Sequence, residues 1–126
     1  MLRKFNPEGM MSPPYYSHAA LVTGGTQTLY VAGQVGVGPD GTVPEGIAEQ
    51  AQLAAASLKA VLAGADMTPA DIAKLTIYLT DAADMEGFMQ GAAGIVSSPA
   101  APATLLVVKA LAMPNLRCEI EAIAVK

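Results

Sequence analysis

The sequence predicts a two-layer α+β domain with the element order ββαβαββ. Three observations carry that expectation. Ile47, Ala51, Ala54, Leu58 and Val61 recur three or four residues apart, the spacing of one helix face. In "IAKLTIYLT" (72–80), Leu75, Ile77 and Leu79 alternate with Lys74, Thr76, Tyr78 and Thr80, the period of a strand with one polar face. The closing "CEIEAIAVK" also alternates, with Cys118, Ile120, Ala122 and Ala124 on one face and Glu119, Glu121, Ile123 and Val125 on the other. Two helices cannot cover both faces of a sheet of about five strands. The second sheet face therefore meets solvent or another subunit.

The elements follow in order. Residues 1–14 read as irregular and end in Pro13-Pro14. "YYSHAALV" (15–22) reads as a first strand, and "TGGTQ" (23–27) as a turn in which Gly24 and Gly25 take positive φ. "TLYVAGQVGV" (28–37) is the second strand, and Asp40-Gly41 marks a tight turn in the loop 38–46. The helix from Ile47 has Glu45 and Glu49 near its positive end and Gly64 as its stop. "TPAD" (68–71) has the cap, proline and acidic residue of a short helical turn.

After the strand 72–80, Asp81 caps a second helix whose apolar side is Met85, Phe88, Met89, Ala92 and Ile95 or Val96. Gly87, Gly91 and Gly94 also lie on this helix. Each helical glycine costs ~1 kcal/mol relative to alanine, which close packing against the sheet would offset. A loop (97–103), a strand (104–112), a turn (113–115) and the last strand (116–126) complete the chain.

The 126 residues fit one domain, 1–126. The composition is 52% hydrophobic and only 14% charged, against ~25% charged in an ordinary soluble domain. Such a surface is expected to be partly buried between copies of the chain. The net charge of −4, without a cluster of Lys or Arg, argues against nucleic-acid binding. No apolar stretch approaches a membrane span, and the N-terminal segment lacks a secretory pattern. With one cysteine there is no internal disulfide. A cytoplasmic location is expected.

Few side chains carry obvious chemistry. Cys118 falls on the apolar face of the last strand, where a buried structural thiol is the ordinary outcome. His18 is the only histidine, so no histidine-rich metal site can form. "GQVGVG" (33–38) is not a phosphate-binding glycine motif and no helix starts at its end. Its glycines let backbone approach a neighbour closely or end the strand. Glu119 and Glu121 either lie on a solvated or interfacial face, or one of them orients a water in a cleft between subunits.

Four stretches in order resemble the RidA/YjgF family: "PYYSHA", "LYVAGQ", "IYLTDAADM" and "PATLLVV…CEIEAIAVK", together spanning residues 14–126. The terminal "EIEAIAV", at the right distance from "GQ" and "TLLVV", is the most specific of them. The resemblance implies a chorismate-mutase-like fold and a homotrimer. Its sheets would form a central barrel, its helices would lie outside, and its three clefts would lie between subunits. It also implies hydrolysis of 2-imino or enamine acids to 2-keto acids and ammonia, with no metal or organic cofactor.

Residue by residue, the first glutamate of "EIEA", Glu119, matches the family carboxylate that positions the attacking water. The tyrosine after the early proline matches Tyr16, with Tyr15 the alternative. Gly33, before the glutamine, brings backbone close to the ligand. Thr104 and Leu105 are expected to line the ligand pocket. The family's substrate-clamping arginine has no counterpart: counting back from Leu111 puts its position at Ala103, with Thr104 next, and no arginine lies between Lys74 and Arg117. Met89 stands near the place of an asparagine often found on the second helix of the family. The expected activity is hydrolysis or deamination of an imine, enamine or related small molecule, less efficient on 2-iminobutanoate than in arginine-bearing relatives. The competing expectation is a ligand-binding or interaction trimer without catalysis.

Overall fold

Glycine and proline break the chain at the places that set its topology. In the computed structural model, which describes residues 1–126, the long elements are β1 (Leu2–Phe5), β2 (Ala19–Val22), β3 (Thr28–Val35), α1 (Ile47–Gly64), β4 (Ile72–Leu79), α2 (Met85–Gly91), β5 (Ala103–Val107) and β6 (Cys118–Val125). Gly24 and Gly25 turn the chain from β2 into β3 with φ of 67° and 87°, a region that costs other residues a steric clash. Between α1 and β4, Thr68 and Asp71 form a reciprocal capping box around the one-turn helix Pro69–Asp71. The Asp81 carboxylate accepts from the Ala83 amide and starts the turn that leads into α2.

The main sheet has four strands in the order β3-β6-β4-β5. β4 and β5 are parallel, joined by the crossover through α2, and the other neighbours are antiparallel. β6 lies in the middle although it comes last in the chain. The first predicted strand does not join this sheet. Only Ala19–Val22 is extended, and it pairs antiparallel with β1, a strand inside the segment expected to be irregular. Residues 15–18 hold the chain differently: the buried Ser17 bonds through its amide to Ala101 O and through its hydroxyl to Ala100 O. β5 is also shorter than expected, ending at Val107.

Both helices pack on one face of the sheet. Ala51, Ala54, Ala55, Leu58 and Leu62 of α1 and Phe88 of α2 meet Val31, Leu75, Ile77, Leu79, Cys118, Ile120, Ala122 and Ala124 in one apolar core. Val61, expected on the inner side of α1, is exposed, and Leu62 takes that place four residues after Leu58. Met85 and Val96 are likewise exposed, while Ile95 is buried.

The glycines of α2 have a different neighbour from the one expected. A Cβ on Gly87 would lie 2.6 Å from Ile47 Cγ2, and one on Gly91 would lie 2.8 Å from Ala51 Cβ and collide with the Ala48 carbonyl oxygen. They let α2 approach α1, not the sheet. The missing side chains thus bring two helices into contact in the outer layer.

A fully bonded polar cluster ties the loops to this layer. Gln50 is completely buried and donates to Pro44 O and Asn115 O, while its Oε1 accepts from the Arg117 amide. The Arg117 guanidinium binds both carboxylate oxygens of buried Asp84 and donates to Glu45 O. No buried side-chain polar atom lacks a partner. The other sheet face is bare, with Tyr30, Leu106 and Ile123 exposed on it.

Candidate functional site

The bare face is organised around β6. Glu119 stands opposite Tyr78 of β4 and Val35 of β3, and Glu121 stands opposite Thr76. Alternation along β6 puts both carboxylates on the face away from the helices, as the sequence pattern requires.

Their surroundings separate them. Tyr78 Oη donates to Glu121 Oε1 at 2.5 Å. That bond, with desolvation and the nearby charges of Glu121 and Glu119, holds the Tyr78 phenol above its ordinary pKa, so it stays a donor at neutral pH. Glu119 accepts no hydrogen bond from the chain; its oxygens are free to bind water or a ligand.

Gly33 makes room for Glu119. Between Val31 and Gln34 the register of β3 against β6 slips by one residue, a bulge containing Ala32 and Gly33. A Cβ on Gly33 would lie 2.7 Å from the Glu119 carboxyl carbon and would overlap its Oε1. The bulge and the absent side chain let the carboxylate lie across the strand. Gly33, expected from the sequence to approach the ligand, is in direct contact with Glu119.

Two depressions open on this face and share Glu121 as a wall. One, of about 370 Å³, is lined by Tyr78, Glu119 and Glu121 with Val108, Leu111 and neighbouring alanines. The other, of about 240 Å³, is lined by Tyr30, Lys74, Thr76, Glu121 and Ile123. Thr104 lies on the same face, opposite Thr76, and accepts a 2.7 Å hydrogen bond from Lys74 Nζ. Ala103 packs against the core. Of the two positions counted for the family arginine, only Thr104 therefore lies on the open face. Leu105 also turns its side chain to the core, so it does not line either depression as a side chain.

Tyr16 is elsewhere within the chain. Its ring meets the His18 ring edge-on at 5.6 Å and lines a depression of about 460 Å³ with Asn6, Pro13, Pro14 and the segment 96–100. Tyr15 borders a small apolar pocket beside Phe88, Met89 and Ala103. Neither tyrosine approaches Glu119 in a single copy. His18 Nε2 donates to Met11 O, and Cys118 is fully buried with its thiol pushed up to about 11, mainly by burial and also by Asp84. That thiol is unsuited to nucleophilic attack. No three His, Cys, Asp or Glu side chains converge as a metal site. No helix is long and apolar enough to cross a membrane.

Two polar side chains that sequence reasoning left aside also lie on this face, Tyr78 and Lys74. Alternation puts both on the polar face of β4, but the partner of each depends on inter-strand register.

Known proteins place this geometry. The sequence profile described as "Endoribonuclease L-PSP" matches residues 10–126. A Rid-family protein of unknown function from Yersinia pestis superposes with a TM-score of 0.82 at 36% identity, covering 99% of this chain and 98% of that one. RidA from an Antarctic Psychrobacter superposes with a TM-score of 0.73 at 27% identity, covering 98% of this chain and 94% of that one. The "2-iminobutanoate/2-iminopropanoate deaminase" of Rattus norvegicus is 41% identical over 73 residues, 55% of this chain and 50% of the relative, so the match spans about half of that protein. The arrangement of two helices over a β3-β6-β4-β5 sheet, with a free carboxylate over a glycine bulge, belongs to a chain that is a member of the RidA/YjgF family.

Proposed function

We propose that this protein is a small-molecule hydrolase that deaminates an imine, enamine or related substrate without a cofactor, in clefts between the subunits of a homotrimer. The observation that carries the reading is the Glu119 carboxylate, held over Gly33 and free of internal partners, while its neighbour Glu121 is occupied by Tyr78. A carboxylate in that state suits a general base. It takes a proton from water as the oxygen adds to the C=N carbon, and the nitrogen gains a proton. The carbinolamine then expels ammonia and leaves a carbonyl product. The rat relative named for this reaction supports the choice of substrate class.

The bare sheet face, with its exposed Tyr30, Leu106 and Ile123, supports assembly through this side. Tyr16 lies in a separate depression, so in this reading it lines the cleft from a neighbouring subunit. Thr104 on the open face, in a chain without an arginine between Lys74 and Arg117, supports lower efficiency on 2-iminobutanoate than an arginine-bearing relative has. That same substitution favours the second reading, a trimer that binds a small ligand without turning it over.

One assay separates the two readings. 2-Iminobutanoate is generated in place by an amino-acid dehydratase, and its loss is followed with and without the protein. Faster hydrolysis that disappears in Glu119→Gln supports catalysis. No acceleration, with 2-oxobutanoate still bound equally by Glu119→Gln, supports the binding reading. Sedimentation equilibrium tests the assembly, and a monomer would remove the clefts altogether.

A further inference from the structure

Tyr78 presents to the Glu119 depression an oxygen that can only accept. Its neighbours Ile77 and Leu79 point into the core, so alternation puts Tyr78 on the open face. It is the direct cross-strand partner of Glu119. Side chains so paired start about 5 Å apart at Cβ. The Tyr78 ring then reaches diagonally along β6, and Oη meets Glu121 Oε1 at 2.5 Å. A carboxylate has no proton to give, so the phenol is the donor of that bond. A tyrosine hydroxyl has a single proton, and what remains on Oη is acceptor capacity. Donation to a carboxylate polarises the phenol and strengthens its oxygen as an acceptor. The raised pKa of Tyr78 keeps the proton in that bond at neutral pH.

The rest of the polar lining has the same sense. The depression of about 370 Å³ is walled by Tyr78, Glu119 and Glu121, and otherwise by Val108, Leu111 and alanines. No side chain in it is left to donate to a carbonyl oxygen. An imine nitrogen carries N–H, as do the carbinolamine and the departing ammonia. The carbonyl product carries none. A site that accepts from N–H discriminates strongly against the analogue that lacks it, because its acceptors are left unpaired.

We propose that Tyr78 is a specificity-determining residue of this site: its Oη accepts an N–H of the substrate and so distinguishes the imine from its carbonyl product. This rests on the function proposed above and names the substrate class as an N–H imine or iminium held by its nitrogen end. The reacting carbon then lies between Tyr78 and Glu119, with the attacking water on the Glu119 side. Imine and water give carbonyl and ammonia. Both protons of the water end on nitrogen, the first by way of Glu119, and Tyr78 keeps its own throughout.

The test uses NMR titration with two cations. Butyramidinium is planar and rich in N–H; tetramethylammonium has the same charge and no N–H. Each is titrated into wild type and Tyr78→Phe, with thermal melting as the check on folding. The phenol is uncharged, so its loss leaves the charge of the depression as it was. Tyr78→Phe should weaken butyramidinium binding about tenfold or more, the loss of a hydrogen bond to a charged group, and leave tetramethylammonium binding unchanged. A merely structural role would move both together. In wild type labelled with carbon-13 at tyrosine Cζ, butyramidinium should shift the Tyr78 resonance and tetramethylammonium should not. That signature decides by itself if Tyr78→Phe does not fold. Equal binding of butyramidinium by the two proteins overturns the proposal. So does an equal loss of both cations, an unmoved Tyr78 resonance, or no wild-type binding at ~10 mM, tenfold above the usual KM range. Dehydratase-generated 2-iminobutanoate separates this inference from the hydrolase reading. Tyr78-dependent binding without hydrolysis sinks the hydrolase and leaves the nitrogen site standing. Hydrolysis with kcat and KM unchanged in Tyr78→Phe does the reverse.

Discussion

Replacing Gly33 by alanine moves the Glu119 carboxylate without removing it. The new methyl would stand 2.7 Å from the carboxyl carbon and overlap Oε1, so the side chain must swing aside. A carbon–carbon contact relaxes near 3.5–4.0 Å, which sets the displacement at on the order of 1 Å or more. The backbone itself accepts alanine, because Gly33 is not among the residues with positive φ. Stiffening the unfolded chain stabilises by about 0.4–1 kcal/mol, and moving a flexible side chain costs a comparable amount. Stability should therefore hold, with Tm within about 4 °C of wild type. Activity should not hold: a misplacement of ~1 Å in a reacting group costs about 10²-fold. The assay is steady-state hydrolysis of dehydratase-generated 2-iminobutanoate by wild type, Gly33→Ala, Glu119→Gln and the double variant. In the double variant the Gly33 change should add almost nothing, because the carboxylate it displaces is already gone. Full activity in Gly33→Ala would refute the argument. So would two losses that multiply, since Gly33 would then act independently of Glu119.

Other perturbations test the scaffold. Gly91→Ala should destabilise by about 1–3 kcal/mol despite the better helix propensity of alanine, because the methyl meets the Ala48 carbonyl and Ala51 Cβ of α1; urea denaturation reads this. Arg117→Met should cost on the order of 3 kcal/mol by leaving the buried Asp84 carboxylate unpaired, and Asp84→Asn should cost less, because Arg117 is 39% exposed and can rehydrate; thermal melting ranks the two. The raised Cys118 thiol contributes stability that is intact below pH 9, the value in the unfolded chain, and is lost as pH rises toward 11. The urea midpoint should fall across that window in wild type and fall less in Cys118→Ala.

The strong periods in the sequence carried most of the architecture. α1, β4 and β6 repeat at 3.6 or 2.0 residues, and they form the sheet centre and the helix over it. β1 has no such signal: Leu2–Phe5 is four residues long, and it is extended only because Ala19–Val22 lies beside it. The α2 glycines were visible, but their partner was not, since contact with Ile47 and Ala48 depends on how two helices cross. At the candidate site, alternation alone put Glu119 and Glu121 on one face. The Tyr78 bond that distinguishes them and the Lys74–Thr104 bond follow from inter-strand register, and the contact of Glu119 with Gly33 follows from a bulge in β3. Bulges insert a single residue without changing composition, so a periodic pattern does not reveal them.

The place of β6 also bears on how the protein is made. Of all the elements it is the last to be synthesised, yet β3 and β4 are joined through it and through nothing else. Until Cys118–Val125 has emerged, the ribosome holds a chain whose helices have only the β4–β5 pair to close upon and whose β3 and β4 edges are open to other strands. Folding of the main sheet is therefore a late event in synthesis. A ribosome that stalls before Cys118 leaves an aggregation-prone nascent chain and no folded domain.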